Sequence, residues 1–194
     1  MNKSRLEAFS DGVFAIMITI MVLELKVPDT TEWEAMKHLL PVFCSYVLSF
    51  VFIAIYWGNH HHLMHTVRKV NAGIMWANMH LLFWLSLVPF ATGWMGVNKF
   101  DKVTVAVYGA LLLVCGIAFT ILSKTIRKSY KNETPLTEAI AKSDVKGYIS
   151  VVLYSLSIPV ALYVHPLISA LFFVTVSVMW LIPSKHIEKA LEEE

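Results

Sequence analysis

Residues 103–123 read VTVAVYGALLLVCGIAFTILS, twenty-one positions without a charged side chain. A helix of about 20 mostly apolar residues crosses the roughly 30 Å hydrocarbon layer of a bilayer. The run is continuous and does not alternate, so it reads as a membrane helix and not as a barrel strand. Outward from it, five more runs qualify, over about 8–25, 39–59, 74–96, 147–164 and 166–183. The last two are split only by His165-Pro166, as in a tight helical hairpin. The first run carries Ser10 and Asp11 at its start and Glu24 at its end, with no small-residue cleavage site after it. It is therefore expected to be a retained span and not a signal peptide. The composition agrees: of 194 residues, 57% are hydrophobic and 15% charged, where a soluble domain carries about 25% charged. That balance excludes a disordered chain and argues against an ordinary soluble enzyme. The expected fold class is an all-α membrane protein, a single six-helix transmembrane domain over 1–194 with its longest polar loop at 124–146.

An even number of spans puts both termini on one side, and basic residues concentrate on the cytoplasmic side. One set of segments holds twelve, Lys3, Arg5, Arg68, Lys69, Lys124, Arg127, Lys128, Lys131, Lys142, Lys146, Lys185 and Lys189. The other holds four, Lys26, Lys37, Lys99 and Lys102. Both termini are expected in the cytoplasm of a multi-pass cell-membrane protein. Trp57, Trp94 and Trp180 fall near helix ends, where aromatic belts lie; Trp84 does not, and is expected to pack against another helix. Within 124–146, Pro135 and Thr137-Glu138 predict a short capped helix with a solvated face. A net charge of +2, with no basic stretch among stacking aromatics, argues against a nucleic-acid partner. Cys44 and Cys115 sit inside apolar runs and are expected to be small buried side chains. The chain lacks HExxH, GxSxG, a phosphate-binding glycine loop and CxxC, so no enzyme, metal or cofactor is expected. A filter of the TVGYG type is also missing.

The informative segment is Arg5-Leu6-Glu7-Ala8-Phe9-Ser10-Asp11-Gly12, which runs straight into the first apolar helix. At about 100° per residue, Gly12, Ile16, Thr19, Ile20 and Leu23 form one stripe, and Asp11 lies about 140° from Ile16. The carboxylate therefore faces away from the aliphatic stripe, and a charge at the membrane edge needs partners. On composition alone, the favoured reading is that Asp11 caps the helix while the stripe meets lipid or core. A second polar cluster, Trp57, Asn59, His60, His61, His62 and His65, ends the second span. His61 and His65 share a face, the minimum for two metal ligands, but no acidic or Cys residue nearby completes a set. One or two of the histidines are expected to donate hydrogen bonds to Asp11. Asn78 lies at a depth to join them, and Pro89 is expected to kink the third span.

The Arg5-xxx-Phe9-Ser10-Asp11-Gly12 signature at the head of the first membrane helix resembles the transmembrane protein 175 family of potassium channels. The six-span layout, the Trp/Asn/His-rich end of the second span and the run Pro89-Phe90-Ala91-Thr92 agree with it. The resemblance implies a potassium-selective cation channel without a reentrant filter loop. K⁺ is then the permeating ion, the bilayer the surroundings, and no cofactor is needed. It further implies the single-repeat, prokaryotic type, a homotetramer in the plasma membrane whose first helix lines a central pore. Carried onto this chain, Ile16, Ile20 and Leu23 form the narrowest point and Thr19 a polar layer beside it. Arg5, Phe9, Ser10, Asp11 and Gly12 become structural or gating groups, with Trp57, His60, His61 and Asn78 as polar partners. A hydrophobic constriction of this kind gates by dewetting. Two other readings remain. A secondary or proton-coupled transporter would use Asp11 and the His60–His65 cluster, although carriers favour ionisable groups at the midplane and inverted repeats, neither of which is visible. A membrane enzyme would need a metal at His61 and His65.

Overall fold

A computed structural model of the chain describes residues 2–129 and 135–181, with side chains given except over 135–144. The described residues form helices and connecting turns, with no strand among them. In chain order the helices are α1 (Lys3–Leu23), α2 (Trp33–His65), α3 (Ala72–Leu85), α4 (Val88–Val97), α5 (Lys102–Ser129), α6 (Pro135–Tyr163) and α7 (Pro166–Leu181). Five stretches are long and apolar enough to cross a membrane: α1, α2, the pair α3–α4, α5 and Val145–Tyr163 of α6. The apolar α7 is shorter, at 16 residues.

The helices outrun the apolar segments that announce them. At about 1.5 Å rise per residue, the 33 residues of α2 project beyond both faces of a roughly 30 Å hydrocarbon layer. Arg127 and Lys128 close the last turn of α5, where cations complement the helix dipole. Pro135 opens α6 at a position where the missing N–H costs nothing. The stretch 124–146 is thus not one loop: its two flanks are the ends of long helices, and the expected short helix at Pro135 is the first part of α6. Residues 130–134 and the side chains of Thr137 and Glu138 lie outside the described residues, as do Lys131, Lys142, Lys185 and Lys189.

The third span divides where a kink is expected. α3 ends at Leu85 and α4 starts at Val88, with Pro89 in its first turn. The Leu87 N–H donates to the Trp84 carbonyl at 3.2 Å, tightening the turn between the halves. Trp84 is half-buried against the core and donates to His80 Nε2 at 2.9 Å.

The hub of the bundle is α5, which packs on α3, α4, α6 and α7. Its buried residues Val105, Tyr108, Leu112, Cys115 and Leu122 recur every three or four positions, or at twice that spacing. Two glycines allow the closest helix approaches. A Cβ at Gly109 would collide with Ser157, and one at Gly96 with Ser45 and the Val42 backbone. At mid-depth, Thr92 Oγ1 of α4 lies 2.6 Å from Ser49 Oγ of α2 and 2.7 Å from the Val88 carbonyl. Ser49 Oγ in turn lies 2.8 Å from the Tyr108 hydroxyl of α5. These buried hydroxyls satisfy one another, as the absence of water at that depth demands. Against this core rests α1, which packs on α2, α4 and α3 and adds Leu6, Phe14, Met17 and Met21 to it.

Candidate functional site

The two faces of α1 divide sharply. Leu6, Ser10, Phe14, Met17 and Met21, at steps of three and four, are buried against the bundle. On the opposite side Ile16, Ile20 and Leu23 are 57%, 45% and 76% exposed, and Gly12 and Thr19 are exposed with them. The stripe read from the helical wheel is therefore the face that no described part of the same chain covers. Thr19 Oγ1 donates its one hydrogen back to the Ala15 or Ile16 carbonyl, at 3.1 and 2.9 Å. The oxygen left on the open face carries lone pairs and no proton.

Where α1 meets α2, polar side chains pair in an antiparallel ladder. Lys3 Nζ donates to the His65 carbonyl at 3.0 Å. His61 Nδ1 stands 3.6 Å from Glu7 Oε1. Trp57 Nε1 donates to Asp11 Oδ1 at 3.0 Å. Positions 3, 7 and 11 ascend by one helical turn as 65, 61 and 57 descend, so each turn of α1 has one rung on α2. The rings of Trp57, His61 and His65 follow one another along this edge in tilted contacts, with centroids 6.3 and 6.4 Å apart.

Behind the ladder, a second set is fully buried. Ser10 Oγ donates to the Leu6 carbonyl at 2.8 Å and accepts from Asn78 Nδ2 at 3.0 Å. The Asn78 amide then turns its oxygen to His60 Nε2, 2.7 Å away. Since Ser10 has spent its hydrogen, Asn78 must donate to it, and His60 must carry its proton on Nε2. His60 thus presents an Nε2–H to the Asn78 oxygen, with its ring 5.5 Å from that of Phe14. His60 Nδ1 is the one buried side-chain polar atom without a partner among the described residues. Three helices, α1, α2 and α3, are tied through this junction.

Several expectations are changed by this geometry. Asp11 takes its hydrogen bond from Trp57, while His60 bonds Asn78 and His61 faces Glu7; the expected His–Asp11 bonds are replaced by these. The reason is register: one turn of α2 separates Trp57 from His61, and Glu7 already occupies the matching turn of α1. Ser10 and Asn78 come together, whereas Arg5 and Phe9 project outward. Arg5 makes no hydrogen bond or ion pair among the described residues. A Cβ at Gly12 would meet nothing within 4 Å. Glu7 and Lys3 were not among the expected site residues, although their i, i+4 spacing with Asp11 is visible in the sequence. No group of three or more His, Cys, Asp or Glu among the described residues is placed to hold a metal ion.

Comparison with known proteins agrees with the resemblance. The family model described as endosomal/lysosomal potassium channel TMEM175 matches residues 5–89. A protein of Chryseobacterium sp. (strain P1-3) named as a potassium channel is 51% identical over 193 residues, covering 100% of both chains. One of Streptomyces collinus, also named as a potassium channel, is 37% identical over 63% of this chain and 64% of its own. The crystal structure of a lysosomal potassium-selective channel TMEM175 homolog from Chamaesiphon minutus superposes with a TM-score of 0.79 at 28% identity, over 94% of this chain and 97% of that one. The all-helical bundle, its membrane-length helices and the whole-length similarity together place this multi-pass membrane protein in the TMEM175 family.

Proposed function

We propose that this chain is one subunit of a potassium-selective channel in the prokaryotic plasma membrane. Four copies surround the pore, and α1 of each lines it. The observation that carries the reading is the split of α1 into a packed face and an open face, with Ile16, Thr19, Ile20 and Leu23 on the open one. The names of the Chryseobacterium and Streptomyces relatives, and the description of the Chamaesiphon structure, support K⁺ as the ion. Rings of Ile16, Ile20 and Leu23 make a dry throat that closes by dewetting. Between them, Thr19 offers an oxygen whose hydrogen is already bonded to its own helix. Such an acceptor suits a partly dehydrated cation and repels an anion. Conduction requires α1 to rotate or splay until the aliphatic ring widens.

Arg5, Phe9, Ser10, Asp11 and Gly12 act at the foot of this helix and not as ion ligands. Ser10 and Asp11 hold α1 to α2 and α3 through Trp57, Asn78 and His60, and Glu7 adds His61, so movement is hinged at that end. The twelve-to-four distribution of Lys and Arg supports a cytoplasmic foot, with both termini inside. A carrier is less well served, since the ionisable groups gather at the foot while the middle of α1 is aliphatic.

The experiment is a reversal potential across a planar bilayer holding the purified protein, with K⁺ on one side and Na⁺ on the other. The expected result is a shift toward the K⁺ equilibrium potential, larger currents for Leu23→Ala, and a reduced K⁺ over Na⁺ preference for Thr19→Ala. Unchanged conductance and preference in both variants would remove α1 from the pore.

A further inference from the structure

A cleft of about 330 Å³ opens between α2, α5 and α6 at the same end as the α1–α2 ladder, with Trp180 of α7 on its edge. Its inner end is closed by aromatic contacts, Phe52 with Tyr154 at 6.2 Å and Tyr154 with Phe173 at 6.4 Å. From Phe52 the cleft follows α2 to His62. Ten residues of helix rise about 15 Å, and half of a roughly 30 Å hydrocarbon core is one leaflet. The walls are apolar, with Ile55, Ile117 and Val151 prominent. Glycines keep it open: a Cβ at Gly147 meets nothing within 4 Å, and one at Gly116 meets nothing nearer than 3.9 Å.

The mouth is cationic. Lys124 lines it and is exposed, and Arg127 and Lys128 follow on the next turn of α5. Across the mouth, the Lys146 ammonium lies 5.8 Å above the Trp180 ring, whose Nε1 donates to Ser150 Oγ at 2.9 Å. Among the described residues, none that lines the cleft is acidic. A leaflet-deep apolar slot under a cationic, Trp-edged rim complements one class of molecule, an amphiphile with a hydrocarbon tail and an anionic head.

We propose that this cleft is a binding site for an anionic phospholipid, with one acyl chain between α2 and α6 and the phosphate beside Lys124. The site is independent of which helix lines the pore. Purified full-length protein exchanged into equal phosphatidylglycerol and phosphatidylcholine, then weighed by native mass spectrometry, tests it. One phosphatidylglycerol per chain is expected to remain, in preference to phosphatidylcholine. Lys124→Gln should weaken retention about fivefold, the effect of one surface cation on an anionic lipid. Gly116→Leu, which fills the slot, should abolish it, and Lys99→Gln at the opposite end should leave it unchanged. If Gly116→Leu does not fold, Gly147→Leu fills the same slot from α6. Equal retention of both lipids, retention of neither, or indifference to the slot-filling variant would each overturn the site. So would a Lys124→Cys thiol, on a Cys44→Ser background, that a water-soluble reagent reaches only after the assembly is dissociated, because a second copy of the chain would then cover the mouth.

Discussion

Asn78 shows how one amide can fix the proton position of a neighbour on another helix. Its two functional ends are used in opposite senses, donating to Ser10 and accepting from His60, and neither neighbour can reverse without orphaning a buried group. Asn78→Ala leaves the His60 N–H and the Ser10 oxygen unpaired in a dry site, which costs about 1–3 kcal/mol. Trp57→Phe frees only the half-buried Asp11, which water reaches, so its cost should stay below about 1 kcal/mol. Thermal unfolding of the two purified variants compares them, and a larger loss for Trp57→Phe would contradict this account. Sequence reasoning could see that Ser10, Asp11 and Asn78 needed partners, because polar groups in membrane helices are costly when alone. It could not see which partner each has. That choice depends on the relative rotation and register of α1, α2 and α3, which no local pattern encodes. Glu7 was overlooked for the same reason: it looks like an ordinary solvated charge until α2 brings His61 alongside.

At the scale of the helix, the legible and illegible parts separate by cause. Apolar length located the apolar helices, five of them long enough to cross, since the bilayer sets that length from outside. It did not locate the helix ends, because helices continue into water wherever capping and charge favour them, as α5 does to Ser129. Nor did it distinguish a kink at Pro89 from a break, which arises because Pro89 falls in a first turn where it needs no hydrogen-bond partner. The glycines carry a further distinction. Gly96 and Gly12 look alike in sequence, yet Gly96 abuts Ser45 and Val42 of α2 while Gly12 faces open space. Gly96→Leu must push α4 from α2, and overpacking of this kind costs about 1–3 kcal/mol. Gly12→Ala should raise the stability of the single subunit by up to about 1 kcal/mol, the helix-propensity difference. Detergent unfolding midpoints that move in these opposite directions are the expected result, and a loss at Gly12 matching that at Gly96 would mean α1 packs tightly there within the subunit.

For the whole molecule, the decisive quantity is what covers α1. A lipid-facing helix and an axis-facing helix are equally apolar, so hydropathy cannot separate them, and the wheel identified a stripe without saying what it meets. The packing narrows the choice. The aliphatic face is directed away from the other described helices of its own chain, and the foot of α1 is tied down by three rungs and a buried junction while Leu23 near its far end is three-quarters exposed. α1 is thus held by polar bonds at its foot and by the buried Met17 and Met21 along its length, and Leu23 stands on the side left open to a symmetry mate. If four copies meet there, the assembled protein weighs four times 22.0 kDa, apart from bound lipid. Leu23→Cys side chains on a Cys44→Ser background should then join neighbouring subunits through a short bis-maleimide, whereas Val174→Cys on exposed α7 should not. Dimer and higher bands for Leu23→Cys alone would place α1 at the axis. Cross-links at Val174→Cys with none at Leu23→Cys would turn the subunit around, leaving the aliphatic stripe to lipid and the pore to another helix.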